Sequence, residues 1–386
     1  MESTRAYPGH NRVKLPTPLL SNWMSAFEFA TPPIRYNLAS STGPAWTFGE
    51  LLALDGGELR AQMESMSVAY VPTEGTLALR RQIGQLHHVD PDWVVATTGG
   101  SEALSLLMCL AGGTGASVAL PAPGYPATEA MALAYGLTIR PYLLEAARDF
   151  RQDKSLVLSA VDSSTKLVVV NSPHNPTGSV MAADQMRELA QELNERSIPF
   201  VSDEVFHRLY FGDEQPSAAS THGAIVVGDM SKSLSLPGLR IGWIIDADPK
   251  RREQFIEARD HFSISSPPLM EAFAALALRE HGRFLDKLSA RARANLNSLE
   301  QFIRSFPSRL DWVRPAGGTL AFPWLLDQSD STSLCEAWAK AGVLIAPGSC
   351  YGMPAHFRVG YGLTDPADFN KALALMADVL MQPAFS

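Results

Sequence analysis

The sequence predicts an α/β protein: a large domain with a mostly parallel, doubly covered sheet, plus a smaller α+β domain. The chain has 386 residues, which exceeds one ordinary core and indicates more than one domain. Between about residues 90 and 245, short apolar segments alternate with amphipathic ones, a pattern typical of parallel sheets that helices cover on both faces. This pattern changes near residue 250, where we expect the second domain to begin.

Each strand predicted for the large domain is a short apolar run followed by a polar or glycine-containing turn. These strands are 94–97, 117–120, 167–171, 199–201, 224–227 and 241–245. The helices predicted among them are 101–110, 125–135 and 182–195. Ligands of open α/β sheets bind beyond the carboxyl ends of the strands. We therefore expect the polar residues at these ends to form one site.

Beyond residue 250 the sequence predicts a charged helix over 249–261 and a long helical stretch to about residue 306. Strand-like segments follow at 310–313, 319–322, 343–346 and 357–360. We predict a large domain over residues 46–250 and a small domain over 251–386. Residues 1–45 have no clear period and are predicted to pack on the small domain or on a partner subunit.

The bulk composition argues against several classes of protein. Hydrophobic residues make up 46% of the chain and charged residues 19%, which is typical of a globular protein. The net charge of −8 argues against nucleic acid or an anionic membrane as a main partner. No apolar run predicts a membrane span, and the first residues lack the pattern of a secretory signal. We expect a cytoplasmic protein.

The cysteines predict neither a metal site nor a catalytic thiol. Cys109, Cys335 and Cys350 are an odd number and lack the spacing of metal ligands. Free buried thiols in a reducing compartment are the expected state.

Lys232 is the most informative residue of the chain. It follows the apolar strand 224–227, and Arg240 lies eight residues later in a Gly-Leu-Arg-Ile-Gly turn. An amine in a strand-end pocket loses its proton through desolvation and condenses with an aldehyde. A guanidinium offers donors that suit a phosphate. Together they indicate pyridoxal 5'-phosphate (PLP), although a surface lysine and a structural arginine are the alternative for each residue alone.

Other strand ends carry groups that PLP needs. Gly100 and Ser101 open a helix, whose free amides favour a phosphate, although plain helix capping explains them too. A carboxylate at Asp203 would keep the pyridine nitrogen protonated, or it caps the strand end. Asn175 has an amide donor for the ring 3'-oxygen, or it marks a turn. Tyr125 is a candidate to stack on the ring, or it lies in a core or interface.

Arg358 is a lone arginine in an apolar strand near the C-terminus. A buried arginine needs a partner, and the carboxylate of an amino acid substrate would serve as a bidentate one. A structural salt bridge is the alternative.

Together these motifs resemble the class I/II aminotransferase family, PLP-dependent enzymes of fold type I. The segments that carry the resemblance, in order and spacing, are 171–178, 203–204, 231–242 and 357–360. The resemblance covers nearly the whole chain. It implies that Lys232 forms the Schiff base with PLP and removes the α-proton of the substrate.

The same resemblance implies the other site residues. The implied cofactor ligands are Gly100, Ser101, Tyr125, Asn175, Asp203, Ser231 and Arg240. Arg358 and Asn175 are implied to bind an amino acid substrate. Tyr70 matches the family tyrosine that reaches the phosphate of the neighbouring subunit, so we expect a homodimer with its site at the subunit interface.

Two residues depart from the family pattern. Phe206 stands where many members have a tyrosine that donates to the 3'-oxygen, and Asp229 stands where a phosphate-binding hydroxyl is common. Because a carboxylate would repel phosphate, we expect Asp229 to point elsewhere, toward substrate. Phe206 and the segments 47–51, 263–267, 315–322 and 342–348 resemble the capreomycidine synthase branch. That branch dehydrates a hydroxyarginine and closes its guanidine into a ring.

The sequence therefore predicts a PLP-dependent enzyme that acts on an amino acid, with amino group transfer to a 2-oxo acid as the favoured reaction. Elimination and cyclisation of a hydroxyarginine is the alternative, for which Glu28, Glu50, Glu74 and Asp229 are candidate partners of the guanidinium. A PLP-binding regulatory module is a remote alternative, since no basic helix-turn-helix segment accompanies the enzyme pattern.

Overall fold

A computed structural model describes residues 15–28, 31 and 33–385 and confirms the predicted α/β class. The strands, labelled β1 to β14 in chain order, are Tyr36–Asn37, Val94–Thr97, Ser117–Ala122, Thr138–Leu143, Thr165–Asn171, Phe200–Asp203, Ala224–Asp229, Gly242–Ile245, Leu310–Asp311, Leu320–Ala321, Trp324–Leu325, Val343–Leu344, Ala346–Pro347 and Phe357–Gly360. The helices, labelled α1 to α13, are Leu19–Glu28, Phe48–Leu52, Glu58–Met63, Leu77–His87, Gly99–Ala111, Pro126–Ala134, Lys154–Ser159, Ala183–Glu195, Pro249–Phe262, Pro268–Arg279, His281–Arg304, Thr332–Lys340 and Pro366–Leu380.

A seven-stranded sheet forms the centre of the fold, in the order β2-β8-β7-β6-β5-β3-β4. The neighbours from β7 to β4 are parallel, and β8 is antiparallel to both β2 and β7. Strands β6 and β7 are buried along their whole length. Helices on both faces account for this burial, and they also explain why these strands are continuous apolar runs in the sequence.

The strand β4, over Thr138–Leu143, was not predicted from the sequence. It lies at the edge of the sheet and is largely exposed or half-buried. Arg140 and Pro141 interrupt any apolar run, and an edge strand tolerates them because one side of its backbone faces solvent.

Two apolar cores cover the two faces of this sheet. Alternate residues of β2 separate into different cores: Val94 and Ala96 pack in one and Val95 in the other. This separation follows from the period of two in a strand. Helix α5 covers the face of Val95, and helices α4, α8 and α10 contribute to the core on the opposite face.

The strand register sets the carboxyl ends of β2, β5, β6 and β7 level with the amino end of the antiparallel strand β8, at one edge of the sheet. Gly242 of β8 lies between Thr97 of β2 and Asp229 of β7. Strand β6 lies on the other side of β7, and its Asp203 pairs with Asn171 of β5. The residues predicted to form one site therefore begin from neighbouring points along a single edge.

The C-terminal part has small sheets of its own, including β10-β14-β13. They pack with helices α11, α12 and α13 around a separate core. The segment before residue 45 joins this part, because Tyr36–Asn37 pairs with Val343–Leu344 and Trp23 Nε1 donates to the Ile345 carbonyl at 2.8 Å. Residues 1–14, 29–30 and 32 of that segment lie outside the described residues.

The domain division at residue 250 stays a prediction. Helix α10 follows that position in the chain, yet it packs on helix α4 in a core of the central sheet. None of the described helices is both long and apolar enough to cross a lipid bilayer.

Candidate active site

Lys232 follows β7 and is partly buried at the predicted edge of the sheet. Its Nζ donates a hydrogen bond to Ser41 Oγ at 2.8 Å. Burial lowers the pKa of the Lys232 amine, and the Asp229 carboxylate partly offsets this effect. A lowered pKa increases the fraction of neutral amine, the form that acts as a nucleophile and as a base.

Ser41 is a site residue that the sequence analysis missed. It lies in an irregular segment between β1 and α2, and its carbonyl accepts a hydrogen bond from Thr319 Oγ1 at 2.9 Å. The only local signal is a turn-forming cluster of serine, threonine, glycine and proline over 40–44, which does not indicate a site.

Arg240 packs against the start of helix α5, as expected for a phosphate site. A side chain on Gly99 would collide with Arg240 Nη2, and one on Gly242 would collide with the backbone of Gly99 and Gly100. This close approach leaves a guanidinium beside the amides that open a helix of 13 residues. Both groups favour an anion. Ser101 is exposed in the first turn of the helix. Ser231, which directly precedes Lys232 in the sequence, is buried.

Asp229 lies next to this cradle and close enough to Lys232 and Asp203 to affect their pKa values. Its Oδ1 accepts from the backbone N–H of Ser231 at 2.9 Å, and its Oδ2 lies 3.4 Å from the position that a Cβ on Gly100 would take. The predicted orientation of Asp229 toward substrate stays a prediction. Glu50 instead caps the exposed start of α2, and the Glu28 side chain lies outside the described residues.

Asp203 ends β6 and is 7% exposed. The backbone N–H of Val205 donates to its Oδ1 at 3.3 Å. Burial raises the pKa of Asp203 to about 7, and the Asp229 and Glu204 carboxylates add to this rise. A carboxyl group in this state gains from a cationic N–H partner, which a protonated pyridine nitrogen supplies.

Glu204, the neighbour of Asp203, is part of a buried polar network. Its carboxylate accepts from Ser202 Oγ, Ser217 Oγ and the backbone N–H of Ala218. His87 and His207 each place one ligand atom close to this carboxylate. Since three donors already satisfy the Glu204 oxygens, the network has the features of a structural support for the strand end.

Arg358 and Asn175 meet across the two parts of the chain. Arg358 is 3% exposed, and its Nη1 donates to Asn175 Oδ1 at 3.2 Å while its Nη2 donates to the Ala39 carbonyl at 2.6 Å. Within residues 15–28, 31 and 33–385, no carboxylate forms an ion pair with Arg358, and its buried Nε has no partner. A buried cation without an anion is costly, so the structure offers a binding site for a carboxylate here.

Tyr125 immediately precedes helix α6 and lines a cavity of about 620 Å³ that Asn171 and Asp203 also line. Phe206 is buried and packs with Leu209 in an apolar cluster, so it is a core residue beneath the site.

Tyr70 is 80% exposed, and a single chain does not bring it into the site.

Comparison with known proteins identifies the family of this chain. Residues 53–374 match the family described as aminotransferase class I and II. Over 372 residues the chain is 30% identical to a capreomycidine synthase from Streptomyces vinaceus, which covers 95% of this chain and 94% of the relative. It is 25% identical over 380 residues to human tyrosine aminotransferase, with 92% and 80% of the two chains covered.

Solved structures share the fold over nearly the whole chain. A PLP-dependent aminotransferase from Streptococcus suis superimposes with a TM-score of 0.88, at 25% identity and with 95% and 98% of the chains covered. An aspartate aminotransferase from Thermus thermophilus with maleate gives a TM-score of 0.85 at 23% identity, with 97% and 100% covered. The fold and the site define a PLP-dependent enzyme. This chain belongs to the class I and II aminotransferase family.

The residues present fit the cofactor that this family implies. A buried Asp203 that forms no ion pair among the described residues, a guanidinium packed on Gly99 and an amine of lowered pKa at Lys232 match the pyridine nitrogen, the phosphate and the aldehyde of PLP.

Proposed function

We propose that this chain is an aminotransferase that moves the amino group of an amino acid to a 2-oxo acid. One observation carries the proposal: Arg358 is a buried cation without a described anion, and it bonds to Asn175 in the site that contains Lys232. An amino acid supplies the missing carboxylate and places its amino group toward the lysine. PLP, when bound, supplies an electron sink for the charge that develops at the α-carbon.

Lys232 binds PLP and moves the α-proton in this proposal. Burial favours its neutral form, as a general base requires. Ser41 accepts a hydrogen bond from the Lys232 Nζ and so orients the amine, both for binding PLP and for moving the α-proton. The Asp203 carboxylate holds the proton on the pyridine nitrogen.

The remaining residues hold the cofactor in place. We assign the phosphate to Arg240, Gly100, Ser101 and Ser231, and the stacking contact to Tyr125. Asn175 uses its Oδ1 to accept from Arg358, so its Nδ2 is the group left to donate to the ring 3'-oxygen. Asn175 thus links the substrate carboxylate site to the cofactor site.

We also propose a cytoplasmic homodimer with its site at the subunit interface. Val68 is 98% exposed and Tyr70 80% exposed on one chain, and a partner subunit would remove these apolar side chains from water. In a homodimer Tyr70 reaches the phosphate bound by the partner.

Cyclisation of a hydroxyarginine is a second candidate function, which the 30% identity to capreomycidine synthase favours. Two features of this chain support it: Phe206 provides no phenol donor, and Asp229 places a carboxylate inside the site. A guanidinium would find an acidic partner there.

The experiment incubates the holoenzyme in deuterated water with common amino acids plus 2-oxoglutarate, and separately with 3-hydroxyarginine, whose hydroxyl lies on the carbon next to the α-carbon. We expect deuterium at the α-carbon and glutamate formation from 2-oxoglutarate. Loss of water from 3-hydroxyarginine without oxo acid formation would replace the first function by the second. Absence of α-proton exchange with every amino acid would refute both and favour a PLP-binding regulatory module.

Arg358→Ala is expected to weaken amino acid binding by about a hundredfold or more, since the variant removes a buried charged donor pair. The unliganded holoenzyme should keep its bound cofactor, because Arg358 is assigned to the substrate. Titration of the spectrum with amino acid measures both. Arg358→Lys is the matched variant: it keeps the charge but loses the planar fork, so intermediate binding is expected. Loss of cofactor from both variants would make Arg358 a structural residue.

A further inference from the structure

Tyr351 is a buried residue of the site to which the sequence analysis assigned no role. It ends the short 3-10 turn Gly348–Tyr351, which follows strand β13. The side chain is 7% exposed and lines the cavity of about 620 Å³ that also reaches Asn171, Asp203 and Tyr125. Tyr351 therefore belongs to the wall of the candidate active site.

The Tyr351 ring lies between an aromatic ring and a cation. Its centroid is 5.6 Å from that of Phe322, at an interplanar angle of 75°. Arg358 Cζ lies 5.4 Å from the same ring centroid. These two contacts restrict the ring and hold the phenol beside the Arg358 guanidinium.

The Tyr351 hydroxyl is buried close to the Arg358 guanidinium, but no hydrogen bond of good geometry satisfies it among the residues that the structure describes. Burial raises the pKa of this phenol well above its usual range, and the guanidinium only partly offsets the rise, so the group stays protonated and able to donate. Arg358 Nε is a second buried donor without a partner. Each unsatisfied buried donor is costly, and two of them on neighbouring side chains indicate an acceptor that is bound during function.

A carboxylate satisfies both donors, because it has two oxygens and only accepts hydrogen bonds. We propose that Tyr351 is a substrate-binding residue that donates its hydroxyl to the α-carboxylate held by Arg358. The inference rests on the proposed function, which places that carboxylate at Arg358. With a second donor on a separate residue, the carboxylate plane is fixed, and with it the direction of the α-carbon substituents relative to Lys232.

This contact makes Tyr351 a determinant of specificity for amino acids over amines. An amine without a carboxylate leaves the Tyr351 and Arg358 donors unpaired in the complex, which a site built for hydrogen bonding rejects strongly. The consequence is independent of the substrate side chain, so it can be tested without knowing the preferred amino acid.

The experiment compares L-alanine with ethylamine, which lacks the carboxylate. Each is titrated into the holoenzyme, and binding is followed by the absorbance of the bound cofactor. In the native enzyme L-alanine is expected to bind more tightly than ethylamine. Tyr351→Phe should weaken L-alanine binding by about tenfold or more, as expected for a hydrogen bond to a charged group. Ethylamine binding should not change.

Ethylamine also reports on the integrity of the variant, because its binding requires a folded site and bound cofactor. Tyr135→Phe is the matched control: it removes a hydroxyl that bonds to Ser105 outside the cavity, and neither ligand should respond. If Tyr351→Phe discriminates as the native enzyme does, Tyr351 is not a carboxylate ligand and the proposed function is untouched. If the native enzyme binds L-alanine no more tightly than ethylamine, the assignment of Arg358 to the substrate carboxylate is itself wrong.

Discussion

Replacement of Lys232 by alanine is expected to abolish turnover and to remove the covalent bond between the protein and PLP. The Nζ of Lys232 lies in the candidate active site, at the edge of the sheet that carries Asp203. Burial there favours the neutral form of the amine. The loss of a general base alone slows a reaction by about a hundred- to ten-thousandfold, and the loss of the attachment point adds to it. Free PLP is still expected to bind through the phosphate and ring contacts.

Borohydride reduction followed by peptide mass analysis measures this prediction. The native enzyme should carry reduced cofactor on Lys232, and the alanine variant should carry none. Lys166→Ala is a suitable control, because Lys166 is exposed at the amino end of β5, away from the strand ends that form the candidate active site. That variant should keep the label and the turnover. A native enzyme labelled at another lysine would overturn the assignment and most of the site with it.

Asp203→Asn is expected to stabilise the cofactor-free protein at alkaline pH while it removes most of the activity. Burial raises the pKa of Asp203 to about 7, above its ordinary value of 3.8. As the pH rises from about 4 to 7, the unfolded chain releases this proton and the folded chain retains it, so the native protein loses stability. The loss is complete above the folded-state pKa and is on the order of a few kcal/mol. Asparagine does not ionise and escapes it.

Thermal unfolding of the cofactor-free proteins at pH 5 and pH 8 tests this prediction. The variant should unfold at a higher temperature than the native protein at pH 8, and the difference should be much smaller at pH 5. PLP should raise the unfolding temperature of the native protein more than that of the variant, because only the carboxylate pairs with a protonated ring nitrogen. Asp286→Asn, at an exposed position of α11, is the control that should show no such gain. An equal gain at both pH values would mean that the effect does not come from ionisation.

This pair of expectations describes a site that is unfavourable without its cofactor and substrate. Burial raises the pKa of the Asp203 carboxyl, and among the described residues the buried Arg358 Nε and Tyr351 hydroxyl have no hydrogen-bond partner of good geometry. Strain of this kind concentrates at functional sites, because the groups are arranged for ligands rather than for each other. The same three groups are therefore the ones whose replacement separates stability from activity.

The strand ends that carry Lys232, Asp203 and Asn175 were predictable, because apolar runs followed by polar turns occur at short range in the chain. The edge strand Thr138–Leu143 was not, since half of its residues face solvent and the apolar pattern is weak. The orientation of Asp229 toward substrate stays a prediction. Charge repulsion from a phosphate was the only consideration available from the sequence, and the structure adds the Ser231 amide that donates to this carboxylate.

The alternation of strands and helices was enough to establish the fold class, the edge of the sheet that carries the chemistry, and the lysine at its centre. These features follow from periods of a few residues and from the level register of parallel strands. Packing of the C-terminal part and the N-terminal segment against the large sheet decided the rest. It brings Ser41 to Lys232 across 191 residues, and Arg358 to Asn175 across 183. No local pattern encodes such contacts, because they arise only when separate cores are packed together.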